Sequence, residues 1–402
     1  MARNILHCDM NNFYASVECM LNPALKEYPV AVCGSVEERH GIVLAKNYKA
    51  KAFDVKTGDT VWQAQQKCRD LVIVPPHYEE YIKYSKLARS VYERYTDQVE
   101  PYGMDECWLD ITGTGSLFGS PVEVANKIRE TIKFELGLTI SVGVSFNKIF
   151  AKLGSDMKKP DAVTVIPKDT FREKIWKLPS ADLLGVGRAT QRTLDSYGIR
   201  TIGALAQTDP EFLRSVLGKN GVALWNYANG NDLSLVAKKD FVSPIKSVGH
   251  GITTVADLEK PEQVWPVFLE LTQDIGHKLR VHGLSAEGVA IHIRDMCCGW
   301  VIADLSREKH SINLFRHRNL REVEMMNRLS DEWFTSKSEK VPLWHKIALS
   351  IDEMYVYTGI GRETIRELTK QPEAKQFTLK IGKRTLIKRK QFEEYIDQMC
   401  SI

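Results

Sequence analysis

Three carboxylates at the ends of short predicted strands constrain the fold of this chain more than any other feature. Asp9 ends the mostly apolar segment Ile5–Cys8, and Asp105 and Glu106 stand together between two predicted strands within Val99–Ile111. A strand end presents its last side chain at the edge of a sheet, so pairing of these strands would bring the three acids together. The pattern therefore predicts a sheet with an acidic cluster at one edge.

The chemistry of such a cluster depends on the residues that surround it. An isolated aspartate at a strand end is more often a turn or helix cap than a metal ligand. Here Tyr48 and Lys51 lie one helical turn apart, where a phenol and an ammonium can face one phosphate, and a basic helical stretch ends at Lys159. Carboxylates are also the ligands required by the two divalent ions, about 3.5 to 4 Å apart, that join nucleotides. Together these residues indicate a nucleoside triphosphate site.

Predicted helices flank these strands along the chain. The segments Tyr78–Tyr95 and Pro121–Leu136 have helical periodicity, and Thr139–Val144 is a further predicted strand. With the strand that ends at Asp9, they predict one antiparallel sheet backed by helices, the architecture of a polymerase palm. A small α/β unit lies before them and ends at Pro75–Pro76.

Length and composition indicate a soluble chain of several domains. At 402 residues, about two to four domains are expected, and 43% hydrophobic with 26% charged residues is ordinary for a globular protein. No stretch approaches about 18 apolar residues, which predicts a cytoplasmic protein without membrane contact. The eight scattered cysteines are expected to be reduced thiols. Basic residues cluster between Lys148 and Arg192 and between Lys380 and Lys390, which favours a nucleic-acid partner.

The middle of the chain is predicted to hold a helical domain and then a second α+β domain. Glycines punctuate the helices from Pro167 to about Asn231, and Gly185-Val186-Gly187-Arg188 predicts a tight turn between two helices. Backbone N–H groups at such a turn can bind a phosphate without reading sequence, and a plain helical hairpin is the alternative. After a linker near residues 236–244, the predicted elements are strand Ser247–Thr254, helix Glu262–His282, strands Ala286–Ile293, Trp300–Asp304 and His310–Leu314, and helix Leu320–Phe334.

Four motifs follow one another along the first 240 residues, namely Asp9 to Glu18, Asn47 to Lys51, Met104 to Asp110 and Lys148 to Pro160. In order and spacing they resemble a Y-family DNA polymerase of the bacterial DinB/UmuC type. The resemblance implies an α+β right-hand polymerase: residues 1–10 and 77–166 form the palm, 11–76 the small fingers, 167–235 a thumb with a helix-hairpin-helix, and 243–335 the little finger. It also implies translesion DNA synthesis of low processivity in DNA repair and the SOS response. The protein would be a monomer that uses primer-template DNA and deoxynucleoside triphosphates.

The same resemblance implies a role for each site residue. Asp9, Asp105 and Glu106 would be the catalytic ligands of two Mg²⁺ ions, with the Met10 carbonyl as a further ligand. The implied nucleotide contacts are Phe13, Tyr14, Tyr48, Lys51 and Lys159, and the implied DNA contacts in the thumb are Gly185, Val186, Gly187 and Arg188. Lys51 stands where the family usually has arginine, which keeps the charge but loses the bidentate fork. Tyr14 matches the steric gate, a ring that would clash with a ribose 2′ hydroxyl, and its alternative role is that of a core tyrosine.

The segment from Val341 to the C-terminus has a different character. Ser350–Glu353 opens a predicted helix, Thr358–Gly361 predicts a turn, Arg362–Thr369 a second helix, and Phe377–Ile387 a β-hairpin. This pattern is similar to the small excisionases of conjugative transposons, and it implies a winged DNA-binding module at residues 341–402. Its implied phosphate contacts are Arg362, Arg366, Lys383 and Arg384. The alternative is a stabilising helical tail. Where this segment begins, the little finger is predicted to lose its last core strand.

The sequence leaves other functions open. A catalytically idle DNA-binding protein, in which the tail supplies the function, is favoured by the truncated little finger and opposed by the intact acids. A nucleotide cyclase would use the same carboxylates but would have no use for Gly185–Gly187 or the basic tail. A sliding clamp is a possible partner without a clear motif, because Ser311–Phe315 lacks the leading glutamine of a clamp-binding peptide and is better explained as a strand.

Overall fold

The computed structural model divides into two compact units, residues 1–256 and residues 257–402. The residues that it describes are 3–36, 41–258, 261–286, 288–294, 300–306, 309–315, 348–349, 351, 354, 360, 362–381, 384–388, 391–392 and 395. Among the described helices, none is both long and apolar enough to cross a membrane.

The strands and helices of the described residues are as follows. The strands are β1 (Ile5–Met10), β2 (Val30–Cys33), β3 (Val43–Lys46), β4 (Val72–Val74), β5 (Val99–Tyr102), β6 (Glu106–Asp110), β7 (Ile140–Ser145), β8 (Val163–Ile166), β9 (Gly288–Arg294), β10 (Trp300–Ser306), β11 (Lys309–Phe315), β12 (Ala348–Leu349), β13 (Thr378–Ile381) and β14 (Arg384–Lys388). The helices are α1 (Phe13–Leu21), α2 (Tyr48–Ala52), α3 (Val61–Lys67), α4 (Tyr78–Tyr92), α5 (Gly115–Phe118), α6 (Pro121–Leu136), α7 (Lys148–Met157), α8 (Phe171–Ile175), α9 (Arg188–Ser196), α10 (Ile202–Gln207), α11 (Pro210–Leu217), α12 (Lys219–Ala228), α13 (Pro261–Val281) and α14 (Arg362–Leu368).

A five-stranded sheet in the order β5-β6-β1-β7-β8 forms the centre of the first unit. The pairs β5–β6, β6–β1 and β1–β7 are antiparallel, as the sequence predicts. The prediction of a wholly antiparallel sheet is wrong at its edge, because β8 pairs with β7 in parallel. The cause is α7, which follows β7 and carries the chain back across the sheet before β8 begins.

Helices cover both faces of this sheet. On one face, Leu6, Cys8 and Met10 of β1 pack in a core with residues of α1, α4 and α6. On the other face, Ile5 packs with Trp108 of β6 and with Ala151 of α7. Since side chains alternate along a strand, His7 and Asp9 point to the same side as Ile5, toward α7. All six residues of β1 are buried for this reason.

Two smaller bodies complete the first unit. One is a three-stranded sheet, β3-β2-β4, whose core includes Ala50 of α2 and Ala64 of α3. The helices α8 to α12 share a second core with Phe150 of α7. The helix predicted just before the glycine turn is only a 3₁₀ turn, Ser180–Asp182. The turn ends at once because Leu183 has an extended backbone with ψ 133°.

The predicted linker after the helical domain is bound to the palm for part of its length. The Arg3 guanidinium donates to the Ser234 carbonyl at 2.8 Å, and the Ala237 N–H donates to the Glu100 carboxylate at 2.8 Å. Val236 is buried beside Trp108 in the core below α7. The chain therefore leaves the palm surface only after this segment.

The second unit begins with α13 and an antiparallel sheet, β9-β10-β11. These elements confirm the predicted helix and three of the predicted strands, and Ser311–Phe315 lies within β11 rather than in a free peptide. The predicted strand Ser247–Thr254 is wrong, because that segment forms no ladder among the described residues. It contains Gly249 and Gly251, which add no side chains to pack and weaken a strand. The predicted helix Leu320–Phe334 lies outside the described residues.

The C-terminal segment has a small core of its own, formed by Met354, Ile365, Leu368, Ala374, Phe377, Ile387 and Phe392. The predicted second helix is confirmed as α14, and the predicted hairpin is confirmed as β13–β14. In addition β12 pairs with β14, which makes a third strand that the sequence did not predict. The predicted helix opening at Ser350 and the predicted turn fall mostly outside the described residues, so the winged arrangement stays a prediction.

Candidate active site

Pairing of β1 with β6 brings the predicted carboxylates together. Asp9 lies directly opposite Glu106 in the antiparallel register, and Asp105 immediately precedes β6. The Met10 N–H donates to the Asp105 carbonyl at 3.0 Å, which extends the pairing by one more residue. All three acids therefore stand at one end of the central strands, as the sequence predicts.

Helix α7 and the turn after it supply basic partners for these acids. The Lys159 ammonium lies 2.7 Å from Asp9 and 2.9 Å from Asp156, and the Lys152 ammonium donates to Glu106. Lys152 and Asp156 are four residues apart on α7, and Lys159 lies in the turn after the helix. In this arrangement Asp9 and Glu106 are each neutralised by a lysine, and Asp105 has no such partner among the described residues.

A buried histidine connects Glu106 with α7. His7 Nε2 lies 3.1 Å from Glu106 Oε2, and His7 Nδ1 is hydrogen bonded to Ser155 Oγ at 2.8 Å. Burial is the main cause that lowers the pKa of His7, and the neighbouring carboxylate of Glu106 opposes this shift. His7, Ser155 and Lys152 were not predicted as site residues. Two features of the sequence could have identified them. His7 is two residues from Asp9 and so lies on the same side of the strand, and Lys152 and Ser155 are one helical turn apart on α7.

The three carboxyl groups have different pKa values because their surroundings differ. Burial, followed by the charges of Asp9 and Glu106, raises the pKa of Asp105 to about 6. Burial also raises the pKa of Asp9, and the Lys159 ammonium offsets part of this rise. Burial opposes ionisation of Glu106 as well, but its hydrogen bonds with His7 and Lys152 outweigh burial and hold the pKa at about 2. The site thus concentrates negative charge that is only partly compensated.

This excess of negative charge predicts a pH-dependent gain in stability for Asp105→Asn. A carboxyl with a raised folded-state pKa contributes stability that is complete below about pH 4 and is lost as the pH rises through about 6. Asparagine keeps the shape without ionising, so at pH 8 it should raise the free energy of unfolding by about 2 kcal/mol, allowing for partial exposure. Urea denaturation with a chelator present measures this. The gain should shrink below pH 6, and a gain of equal size at every pH would contradict the assignment.

The chemistry of the donor set fits divalent cations. Among the described residues, no group of three acidic, histidine or cysteine side chains is arranged to hold a metal ion. The carboxylates of Asp9, Asp105 and Glu106 are nevertheless hard oxygen donors that raise one another's pKa values, and a divalent cation would relieve this repulsion. These three residues, with the Met10 carbonyl, are the ones that would hold Mg²⁺.

The predicted nucleotide residues lie around the same acids, with one exception. Tyr48 lies near Lys159 and Asp9, whose charges act on its pKa. The Lys51 ammonium stands 5.6 Å from the centre of the Tyr48 ring. Tyr14 is half-buried beside Asp105. The exception is Phe13, whose ring is 3% exposed in the palm core and can act on a nucleotide only through its neighbours.

The predicted DNA contact in the thumb is a glycine turn that opens α9. Gly185 has a φ of 94°, a conformation that favours glycine, and Val186 N–H donates to the Leu183 carbonyl at 3.1 Å. Gly187 caps α9 without a side-chain hydrogen bond, so the first N–H groups of the helix are open to an anion. Arg188 is exposed at the first position of α9.

In the C-terminal segment, the predicted phosphate contacts are only partly described. Arg362 and Arg366 are exposed on α14, where Arg366 pairs with Glu363. Arg384 begins β14, and Lys383 lies outside the described residues.

Comparison with known proteins places this site in a family. The impB/mucB/samB family matches residues 8–156, and its C-terminal domain matches residues 245–345. Over 295 residues the chain is 56% identical to DNA polymerase IV of Acetivibrio thermocellus, across 73% of this chain and 74% of that protein. The chain belongs to the Y family of DNA polymerases. DNA polymerase IV 1 of Bacillus subtilis (strain 168) is 39% identical over 293 residues, across 73% of this chain and 70% of that protein.

Solved structures agree on the Y-family fold. A Y-family DNA polymerase chimera of Dbh and Dpo4 has a TM-score of 0.68 at 22% identity, covering 84% of this chain and 95% of that one. DinB from Sulfolobus solfataricus has a TM-score of 0.56 at 21% identity over the same shares. The excisionase from transposon Tn916 matches residues 334–402, and this match overlaps the one to the Y-family C-terminal domain at residues 334–345.

Proposed function

We propose that this Y-family chain is a template-directed DNA polymerase of low processivity that copies damaged DNA by two-metal-ion nucleotidyl transfer. One observation carries the proposal. Asp9 and Glu106 face each other across β1 and β6 with Asp105 beside them, in a chain that shares 56% identity with a DNA polymerase IV. The substrates are primer-template DNA and deoxynucleoside triphosphates.

Each residue of the site has a task in this reaction. Bound Mg²⁺ ions would activate the primer 3′ hydroxyl and neutralise charge on the triphosphate. Asp9, Asp105 and Glu106 would hold these ions, and His7, which is hydrogen bonded to Ser155, lies beside the carboxylate of Glu106. Lys159, Tyr48 and Lys51 bind phosphate oxygens by charge and hydrogen bonding. Lys159 neutralises Asp9 at 2.7 Å in this structure, and it is the ammonium group nearest to Asp9 that would bind a phosphate oxygen.

Primer extension on undamaged and lesion-containing templates tests the proposal. The full chain with Mg²⁺ should extend a primer by a few nucleotides per binding event and should insert a nucleotide opposite an abasic site. Extension of neither template would contradict the proposal. The catalytically idle alternative is disfavoured by the intact acids and basic partners. A cyclase would form a cyclic product from nucleotide alone, so incubation without DNA separates it from a polymerase.

Tyr14 is proposed as the gate that excludes ribonucleotides. Its half-buried ring stands beside Asp105, where the sugar of a metal-bound nucleotide would lie. Tyr14→Ala should remove the clash with the 2′ hydroxyl and lower discrimination against ribonucleotides by about 100-fold. Single-nucleotide insertion kinetics with matched deoxy and ribo substrates measure the ratio. Unchanged discrimination would refute the gate.

The C-terminal segment is proposed to add a second, sequence-independent grip on DNA. Its own core and the exposed Arg362 and Arg366 support this role. Replacing both arginines with alanine in the full chain should weaken DNA binding. The slope of the logarithm of the binding constant against the logarithm of the salt concentration should decrease in magnitude by about two, one counterion for each arginine. Fluorescence anisotropy over a range of salt measures both quantities. A slope equal to that of the parent would show that this surface does not contact DNA.

A further inference from the structure

A buried carboxylate lies on the helix that carries Tyr14. Glu18, one turn after Tyr14 on α1, is only 3% exposed, and the other buried residues of this helix are apolar. A buried carboxylate is unfavourable unless donors surround it. Glu18 has two, the Tyr81 hydroxyl and His77 Nδ1 at 2.9 Å. The assigned chemistry of the site makes no use of this carboxylate.

The hydrogen bond to Glu18 fixes the ring on which Tyr14 rests. The Tyr81 and Tyr14 rings are stacked, with centroids 4.2 Å apart and an angle of 9° between their planes. The Tyr14 hydroxyl also donates to Met104 Sδ at 3.3 Å. Burial, followed by the hydrogen bond to Glu18, raises the pKa of Tyr81, so its phenol stays protonated and donates. Tyr14 is thus held between a buried ring on one side and a thioether at its tip.

We propose that Glu18 is a positioning residue for sugar selection, acting through Tyr81 on the ring of Tyr14. This inference rests on the proposed gate role of Tyr14. A gate that works by steric clash excludes a 2′ hydroxyl only if its ring cannot withdraw, and a displacement of about 1 Å is enough to change a rate strongly. Glu18 prevents this movement because it accepts the hydrogen bond of Tyr81 and so fixes the ring against which Tyr14 is stacked. Tyr81 touches the gate and Glu18 holds Tyr81, and neither has to touch the nucleotide.

The experiment compares discrimination between deoxy and ribo substrates in full-length variants. Tyr81→Phe keeps the ring but removes the donor to Glu18, and it should lower discrimination by about tenfold. Glu18→Gln keeps an acceptor for Tyr81 and should stay within about twofold of the parent. The double variant Glu18→Leu with Tyr81→Phe removes both polar groups, so it avoids an unpaired buried charge and should show the same loss as Tyr81→Phe.

Tyr92→Phe is the matched control for this series. Tyr92 is on the same helix as Tyr81, is 1% exposed, and its hydroxyl has no hydrogen-bond partner among the described residues. The same chemical change there should not lower the melting temperature, because it removes an unsatisfied buried hydroxyl, and it should leave the discrimination unchanged. Because thermal melting is measured for every variant, a loss of sugar selection is separated from a loss of folding.

The outcomes distinguish this inference from the gate itself. If Tyr14→Ala loses discrimination while Tyr81→Phe and the double variant keep it, the positioning role is overturned and the gate stands. If Tyr14→Ala keeps discrimination, the proposed gate is wrong. If Tyr81→Phe slows deoxynucleotide and ribonucleotide insertion equally, Tyr81 has only a structural role and the inference is overturned. A selective rise in ribonucleotide insertion, absent in Glu18→Gln and Tyr92→Phe, is the expected result.

Discussion

Asp105→Ala and Glu106→Ala should each lower the rate of primer extension by at least about 1000-fold. In the proposed mechanism each change would remove an oxygen ligand of the metal ions that offset the charge of the triphosphate, a contribution on the order of several kcal/mol to the transition state. Asp105 lacks a cationic partner among the described residues, and Glu106 is fixed by His7 and Lys152. Single-turnover extension at saturating DNA, nucleotide and Mg²⁺ measures the chemical step rather than binding.

Glu135→Ala is the control for the loss of a carboxylate. Glu135 is exposed on α6 and pairs with Arg94 at 2.7 Å, so its removal changes the net charge equally without touching the site. It should leave the rate within about twofold of the parent, since exposed ion pairs contribute little. DNA affinity should be similar in all three variants. If Asp105→Ala or Glu106→Ala extends a primer as fast as Glu135→Ala, the metal-site assignment is wrong.

The strands that carry the acids could be predicted because their pattern has one simple cause. The segment Ile5–Cys8 is mostly apolar because helices cover both faces of β1, and its alternation places Asp9 and His7 on the side of α7. The pairing of β1 with β6 then follows from the need to bury both strands. The positions of the three acids could therefore be predicted from the sequence, and so could most of the helices around them.

The partners of the acids could not be predicted in the same way. Lys152 was not predicted as a site residue, and Lys159 was predicted as a phosphate contact and not as a partner of Asp9. The reason is that the direction of α7 relative to β1 depends on the crossover from β7 to the parallel strand β8. A crossover is set by long-range packing, and local spacing does not reveal it. The partners of the Glu18 carboxylate could not be predicted for the same reason, since they lie at the start of α4, about sixty residues away in the sequence.

The regions where predictions failed have weak local signals. Ser247–Thr254 contains two glycines and forms no ladder with any described strand, so its alternating pattern did not determine its structure. The hairpin β13–β14 was predictable because two apolar runs flank a short turn. By contrast, β12 has only two residues and is a strand because it pairs with β14. Short strands depend on their partners more than on their own sequence.

Gly143→Ala should destabilise the palm by at least about 3 kcal/mol and should also disable the site. A Cβ atom at Gly143 would lie 1.8 Å from the Ala151 carbonyl oxygen and 2.6 Å from the Ser155 N–H nitrogen, both in the backbone of α7. Backbone atoms cannot rotate away, so the whole helix must shift or the sheet must open. Chemical denaturation measures the loss, which is a large share of the stability of an ordinary domain.

A shift of α7 in Gly143→Ala should also lower the polymerase activity, because α7 carries Lys152 and Ser155 and is followed by Lys159. Gly143 lies opposite His7 across β1 and β7, so the absence of a side chain there sets the distance between His7 and Ser155. Any variant protein that stays folded should extend primers more slowly than the parent, even at low temperature. Gly113→Ala is the control, because a Cβ there meets no atom within 4 Å, and it should change neither stability nor rate appreciably. If Gly143→Ala is as stable and as active as Gly113→Ala, the contact between α7 and β7 is not as close as described, and the positioning of Glu106 through His7 loses its structural basis.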